Sequence, residues 1–164
     1  MVTAIKGNAT STFGGNVDVT GNIITDAPAF SAYGTAKQSI SHNTLTKIAF
    51  NTEAFDTNSN YDTTTYRFTP NVAGYYQVNA TIGSTPNTTG VVLFAFYKNG
   101  SFYHRVNAVP NSNQGPDVGG ATLIYMNGTT DYIEVYGYQN SGGALNCGSD
   151  AAAYPFTGIL VRAA

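Results

Sequence analysis

The sequence predicts an all-β fold, and three observations carry the prediction. Thr, Val, Ile, Tyr and Phe fill the regular stretches while Gly, Asn, Pro and Asp separate them, which is the composition of strands and turns. No window longer than a dozen residues keeps an i, i+3, i+4 apolar stripe, so helices are not expected. Runs of strand length are separated by Asn-Gly pairs, which supply the positive φ of tight hairpin turns.

Taken in order, the first 27 residues differ from the rest. Gly-Asn recurs at Gly7-Asn8, Gly15-Asn16 and Gly21-Asn22, with short Val, Ile and Thr pieces between. Too few apolar residues lie there for a separate core, so residues 1–27 are expected to form an extended arm, ordered only by packing on neighbours. Its apolar side chains, Phe13, Val17, Val19, Ile23 and Ile24, are the contact candidates. Pro28 opens the head, residues 28–164.

Rings at Phe50, Phe55, Tyr61, Tyr66, Phe68, Tyr75 and Tyr76 mark the next stretch. Phe50, Phe68 and Tyr76 are expected to fill the gap of roughly 10 Å between two packed sheets. Gly74 follows "TPNVA", where a sharp entry into a strand favours a residue without Cβ. In "GYYQVNATI", Tyr76, Val78, Ala80 and Ile82 share one face and Gln77, Asn79 and Thr81 the other, so one side is core and one is wet.

Asn99-Gly100 in "VVLFAFYKNGSFYHRV" predicts a type I′ hairpin. The strand before it is apolar on both faces: Val92, Phe94 and Phe96 on one, Val91, Leu93, Ala95 and Tyr97 on the other. Only one face of an antiparallel sheet meets its own core, so the second is expected against another subunit. A second hairpin is predicted to join "ATLIYM" to "DYIEVYGY" through Asn127-Gly128. There Ile133 and Val135 alternate with Tyr132, Glu134, Tyr136 and Tyr138, and "FTGILVR" supplies a closing strand.

Composition excludes several function classes. Charged residues are only 10% of the 164-residue chain and the net charge is -2, so no basic patch neutralises phosphates and nucleic acid is not an expected partner. No run approaches the roughly 18 to 20 apolar residues of a membrane span. The first residues lack the basic-then-apolar order of a secretory signal, so export by that route is not expected. Cys147 has no second cysteine to pair with and lies in a Gly-rich stretch, so it is read as inert. Two histidines and no clustered ligands make zinc improbable, and Asp117, Asp131 and Asp150 are read as solvated single acids. The two glutamates, Glu53 and Glu134, form no recognisable acid and base pair, and Ser101 with His104 lacks a nucleophile elbow. No enzyme activity and no cofactor are expected.

Spelled as spacing, the ring-rich stretch is Phe50, five residues, Asp56, four residues, Tyr61, six residues, Phe68, five residues, Gly74, one residue, Tyr76. This is similar to the signature of the C1q family, a trimeric jelly-roll head whose fold is shared with tumour necrosis factor. The likeness runs from about Ala29 to Val161, with "PAFSAY", "YRFTPNVAGYYQV", "GGATLIYMNGTTDYIEVY" and "YPFTGILV" resembling successive family segments. It departs at Val78 and Ala80, where the family keeps aromatics, so altered core packing is expected there. The resemblance implies a C1q/TNF-like jelly-roll sandwich and a homotrimer with rings along its three-fold axis. Tyr97, Tyr132, Tyr136 and Tyr138 are the interface candidates. Family heads often bind calcium near that axis, but no close cluster of acids marks such a site here.

C1q-like heads occur in bacteriophages, and the arm resembles the "GNVxVxGN" segments of viral fibres. The resemblance therefore implies a phage virion protein, made in the host cytoplasm and carried on the outer capsid surface. As a capsid decoration or cement protein, its arms would clamp neighbouring major capsid subunits. The alternative is the receptor-binding tip of a tail fibre that recognises host-surface glycans. Extended, the 27 arm residues reach about 90 Å, enough to lace across capsomers, which favours decoration.

Overall fold

The structure is a computed structural model and describes residues 27–150 and 153–164. The arm contacts expected at Phe13, Val17, Val19, Ile23 and Ile24 lie outside the described residues. The strands in chain order are β1 (Ala29–Tyr33), β2 (Gln38–Ile40), β3 (Thr46–Lys47), β4 (Thr52–Asp56), β5 (Tyr61–Asp62), β6 (Arg67–Phe68) and β7 (Gly74–Ser84). They continue as β8 (Val91–Lys98), β9 (Ser101–Pro110), β10 (Asp117–Met126), β11 (Ile133–Gln139), β12 (Leu145–Gly148) and β13 (Phe156–Ala163).

These strands make a two-sheet jelly-roll sandwich. The seven-stranded sheet runs β2-β12-β7-β13-β1-β4, with β10 also paired to β7. The six-stranded sheet runs β5-β6-β11-β8-β9, with β3 paired to β11. Alternation decides which residues face inward: Tyr76, Val78, Ala80 and Ile82 of β7 are buried, and so are Val92, Phe94 and Phe96 of β8.

Rings fill the space between the sheets. Phe30 stacks on Phe68 at 4.2 Å, and Phe156 lies 4.9 Å from Phe30, 5.5 Å from Phe50, 6.0 Å from Tyr61 and 6.1 Å from Phe96. Two inward tyrosines satisfy their hydroxyls on backbone: Tyr61 donates to the Phe50 carbonyl and Tyr76 to the Val72 carbonyl, each at 2.8 Å. Burial pushes the Tyr76 hydroxyl up to about 12. At the two departures from the family pattern, rings from other strands take the space. Ala80 lies opposite Phe156 and Val78 opposite Gly158, and the Phe30 ring passes 2.6 Å from where a Gly158 Cβ would sit.

Two local expectations are met and one is corrected. A Cβ at Gly74 would collide with the Arg162 carbonyl oxygen, so close approach of β13 demands the residue without Cβ expected at this strand entry. Asn99-Gly100 is the expected hairpin, with φ of 53° and 74°, but Asn127-Gly128 is not one. β10 pairs with β7 while β11 pairs with β8, β6 and β3, so the connection crosses from one sheet to the other. The Asn127 side chain holds that loop, its Oδ1 accepting from the backbone N–H groups of Thr129, Thr130 and Asp131.

Candidate functional site

The sandwich offers two outer faces to its surroundings. On the seven-stranded sheet, alternation turns Tyr75 of β7, Leu123 and Tyr125 of β10, and Ile159 of β13 outward. Leu123 and Ile159 flank Gln77 in register, Tyr125 sits opposite Tyr75 with ring centres 5.5 Å apart, and the bulged Val161 lies beside them. All five apolar residues are exposed, Val161 at 58%. The unpaired edge of β10 is blunted, because Tyr103 Oη donates to the Leu123 carbonyl and Lys98 Nζ to the Tyr125 carbonyl. Side-chain donors on an edge discourage addition of another strand, which leaves the face of this sheet as its open surface.

The six-stranded sheet presents a different surface. Tyr132 precedes β11, and Glu134, Tyr136 and Tyr138 alternate outward along that strand. Tyr97 of β8 stands opposite Glu134 and packs on Tyr136 at 4.4 Å. Phe102 of β9 meets Tyr97 edge to face at 5.9 Å, and Arg67 lies over the Tyr132 ring at 4.0 Å. The sequence thus named four tyrosines that the fold brings onto one face, each partly covered within the subunit. Tyr138 Oη donates to Asn43 Oδ1 at 2.8 Å, which ties that ring to the neighbouring loop. Burial raises the Tyr136 hydroxyl, helped by the charge of Glu134.

Glu134 is what sequence reasoning missed on this face. It is only 1% exposed, and its Oε1 accepts from Lys47 Nζ at 2.5 Å and Arg67 Nε at 2.7 Å. The hydrogen bond to Glu134 raises the Arg67 pKa further. Alternation alone placed Glu134 outward; its burial follows from cations on β3 and β6, far away in sequence.

The other singled-out residues do not assemble a reaction centre. Cys147 is buried in β12, where burial pushes its thiol up to about 11. Glu53 and Glu134 belong to different sheets, and Ser101 and His104 are exposed on β9. Asp131 corrects an expectation: it is buried at 8% exposure, not solvated. It binds Lys98 Nζ at 2.7 Å, Asn99 Nδ2 at 2.8 Å and the Asn127 N–H at 3.0 Å, locking the hairpin to the crossover loop. Asp150 pairs with Lys37 at 3.7 Å. Among the described residues no three His, Cys, Asp or Glu side chains lie together as a metal site. No described helix is long and apolar enough to cross a membrane. An open, mostly apolar cleft of about 450 Å³ lies between Pro28, Val72 and residues 160–163, with Arg162 its one charged lining residue.

Comparison with known proteins now decides the family. The C1q domain family matches residues 29–161, most of the chain. The chain belongs to the C1q family. Solved C1q and TNF-type structures agree with that assignment. The globular domain of zebrafish complement 1qA superposes with a TM-score of 0.64 at 18% identity, covering 84% of this chain and 99% of that one. Eiger TNF from S. frugiperda gives 0.60 at 12% identity, covering 84% and 93%. The vertex protein P5 of PRD1 gives 0.53 at 21% identity, covering 82% and 97%. No curated protein sequence matches. In this C1q head the signature rings Phe50, Phe68 and Tyr76 are fully buried, so its outer faces, and not its family signature, are available to partners.

Proposed function

We propose that this chain is a non-enzymatic phage virion protein, a trimeric C1q head that decorates a capsid while residues 1–27 clamp neighbouring major capsid subunits. The observation that carries this reading is the outer face of the seven-stranded sheet, where Tyr75, Leu123, Tyr125, Ile159 and Val161 lie exposed. An apolar face is unfavourable in water and gains about 25 cal/mol for each Å² covered, so it favours burial against another surface, and the trimeric state of C1q and TNF-type heads supports a second copy about a three-fold axis. The fold shared with a phage vertex protein supports a place on the particle. Tyr97, Tyr132, Tyr136 and Tyr138 mark the competing location for the copy contact, and substitutions on each face separate the two.

Copy number in purified virions tests the role. A trimer at every three-fold position of the capsid lattice is expected; a copy number matching the tail fibres would replace decoration with the receptor-binding tip. The arm has its own test. A chain lacking residues 1–27 should still sediment as a trimer yet fail to bind capsids, and full occupancy by the truncated chain would sink the clamp.

A further inference from the structure

Among the described residues, the end of β13 is paired on one side only. β1 runs beside β13 from Ala32 opposite Phe156 to Ala29 opposite Ile159, and the Pro28 carbonyl accepts from the Leu160 N–H at 2.9 Å. Beyond that bond β13 continues to Ala163, where Tyr75 and Gly74 of β7 hold its other side. The same residues, 160–163, form one wall of the open apolar cleft, with Ala27, Pro28 and Val72 opposite. An open strand edge is a template for a further strand, and an apolar cleft gains from being filled.

The chain itself supplies a segment that fits both. Ala27, the first described residue, belongs to the cleft wall, and the residues just before it are Asn22, Ile23, Ile24, Thr25 and Asp26. Ile and Thr are strand formers, and an extended chain advances about 3.3 Å per residue, so both isoleucines come within reach of the cleft. The charges match as well. Arg162 is the one charged residue of the lining and forms no ion pair among the described residues, while Asp26 adjoins Ala27.

We propose that residues 22–26 of the same chain continue β1 along the open side of β13, with Asp26 beside Arg162. Period-two alternation turns one of Ile23 and Ile24 into the cleft. A tethered segment docks at high effective concentration, so a chain's own arm outcompetes that of a neighbour. The head then grips the root of its arm, and the free part shortens to residues 1–21, a reach of about 70 Å. The proposal holds whether or not the arm meets a capsid.

Limited proteolysis of the full chain with thermolysin, which cuts before large apolar residues, tests it. Mass spectrometry of the earliest fragments should show cuts before Phe13, Val17 and Val19, with cuts before Ile23 and Ile24 slower by about tenfold or more. Arg162→Glu should remove that protection and Arg162→Glu with Asp26→Arg should restore it, circular dichroism confirming that both heads are folded. Leu123→Asp with Ile159→Asp should leave the protection in place, because the docked root needs no second copy. Under mild oxidation, Val72→Cys combined with either Ile23→Cys or Ile24→Cys should form a disulfide within one chain. Cuts before Ile23 and Ile24 as fast as those before Val17 would overturn the proposal. So would a disulfide joining two chains, which would give the cleft to a neighbour's arm.

Discussion

The two sheets are alike inward and unlike outward. Both send large apolar side chains into one core, but the seven-stranded sheet leaves apolar residues uncovered on its far side. The six-stranded sheet packs Tyr97 and Tyr136 on each other beside a buried ion cluster around Glu134, and leaves Phe102 of β9 exposed. The first face is a broad uncovered apolar surface, whereas the second holds a buried acid with one carboxylate oxygen unpartnered. Exposed area and unmet hydrogen bonding are different needs.

The largest expected effect removes what the two faces share. Phe156→Ala empties the hub of the ring cluster and should cost about 3–5 kcal/mol, read from urea unfolding of the head; a cost below about 1 kcal/mol would mean that the rings are not the common support. Next, Leu123→Asp combined with Ile159→Asp should raise the concentration at which copies separate by about 100-fold or more. Sedimentation measures it, and the stability of a single subunit should move by less than about 0.5 kcal/mol. If the trimer survives and Tyr97→Ala breaks it instead, the two faces have exchanged roles.

Glu134→Ala probes the other face. It leaves two cations without their acid, and because both are partly exposed the expected loss is about 1–3 kcal/mol, seen as a lower Tm without a change of assembly. The smallest effect is a pH dependence at Asp131. Burial alone would raise its carboxyl, but hydrogen bonds from Lys98, Asn99 and Asn127 outweigh that and hold it below the usual carboxylate range. The unfolded chain takes up this proton near pH 4. Between that pH and the lower native value the unfolded state holds more protons, so stability falls as pH falls. A Tm series over acidic pH should show this slope in the natural chain and a flatter one in Asp131→Asn.

Much of the fold was legible because it is written locally. Period-two alternation in 74–82 and the Asn-Gly pair at 99–100 need only neighbouring residues to be read, and the ring spacing pointed to the family. The crossover at 127–132 was not legible, since Asn127 and Gly128 carry the same turn chemistry whether or not the flanking strands pair with each other. Glu134 was hidden for a related reason. Its outward position follows from alternation, but its burial depends on Arg67, 67 residues earlier, and on Lys47. The exposed face of β7, β10 and β13 escaped attention because a mixture of Tyr, Gln, Leu and Thr reads as wet until three strands are laid side by side.

The position of β13 bears on how the molecule comes into being. This strand, the last of those described, lies between β7 and β1 in the middle of its sheet and carries Phe156 to the centre of the ring cluster. While the ribosome is still adding residues before Phe156, β1 has no neighbour on that side and Phe30 has no edge-on ring against it. The seven-stranded sheet can close only after residues 156–163 are made, because β13 alone joins β7 to β1. A chain that stops short of β13 leaves β1 and β7 with open edges and exposed apolar rings, features that make an incomplete chain prone to aggregation.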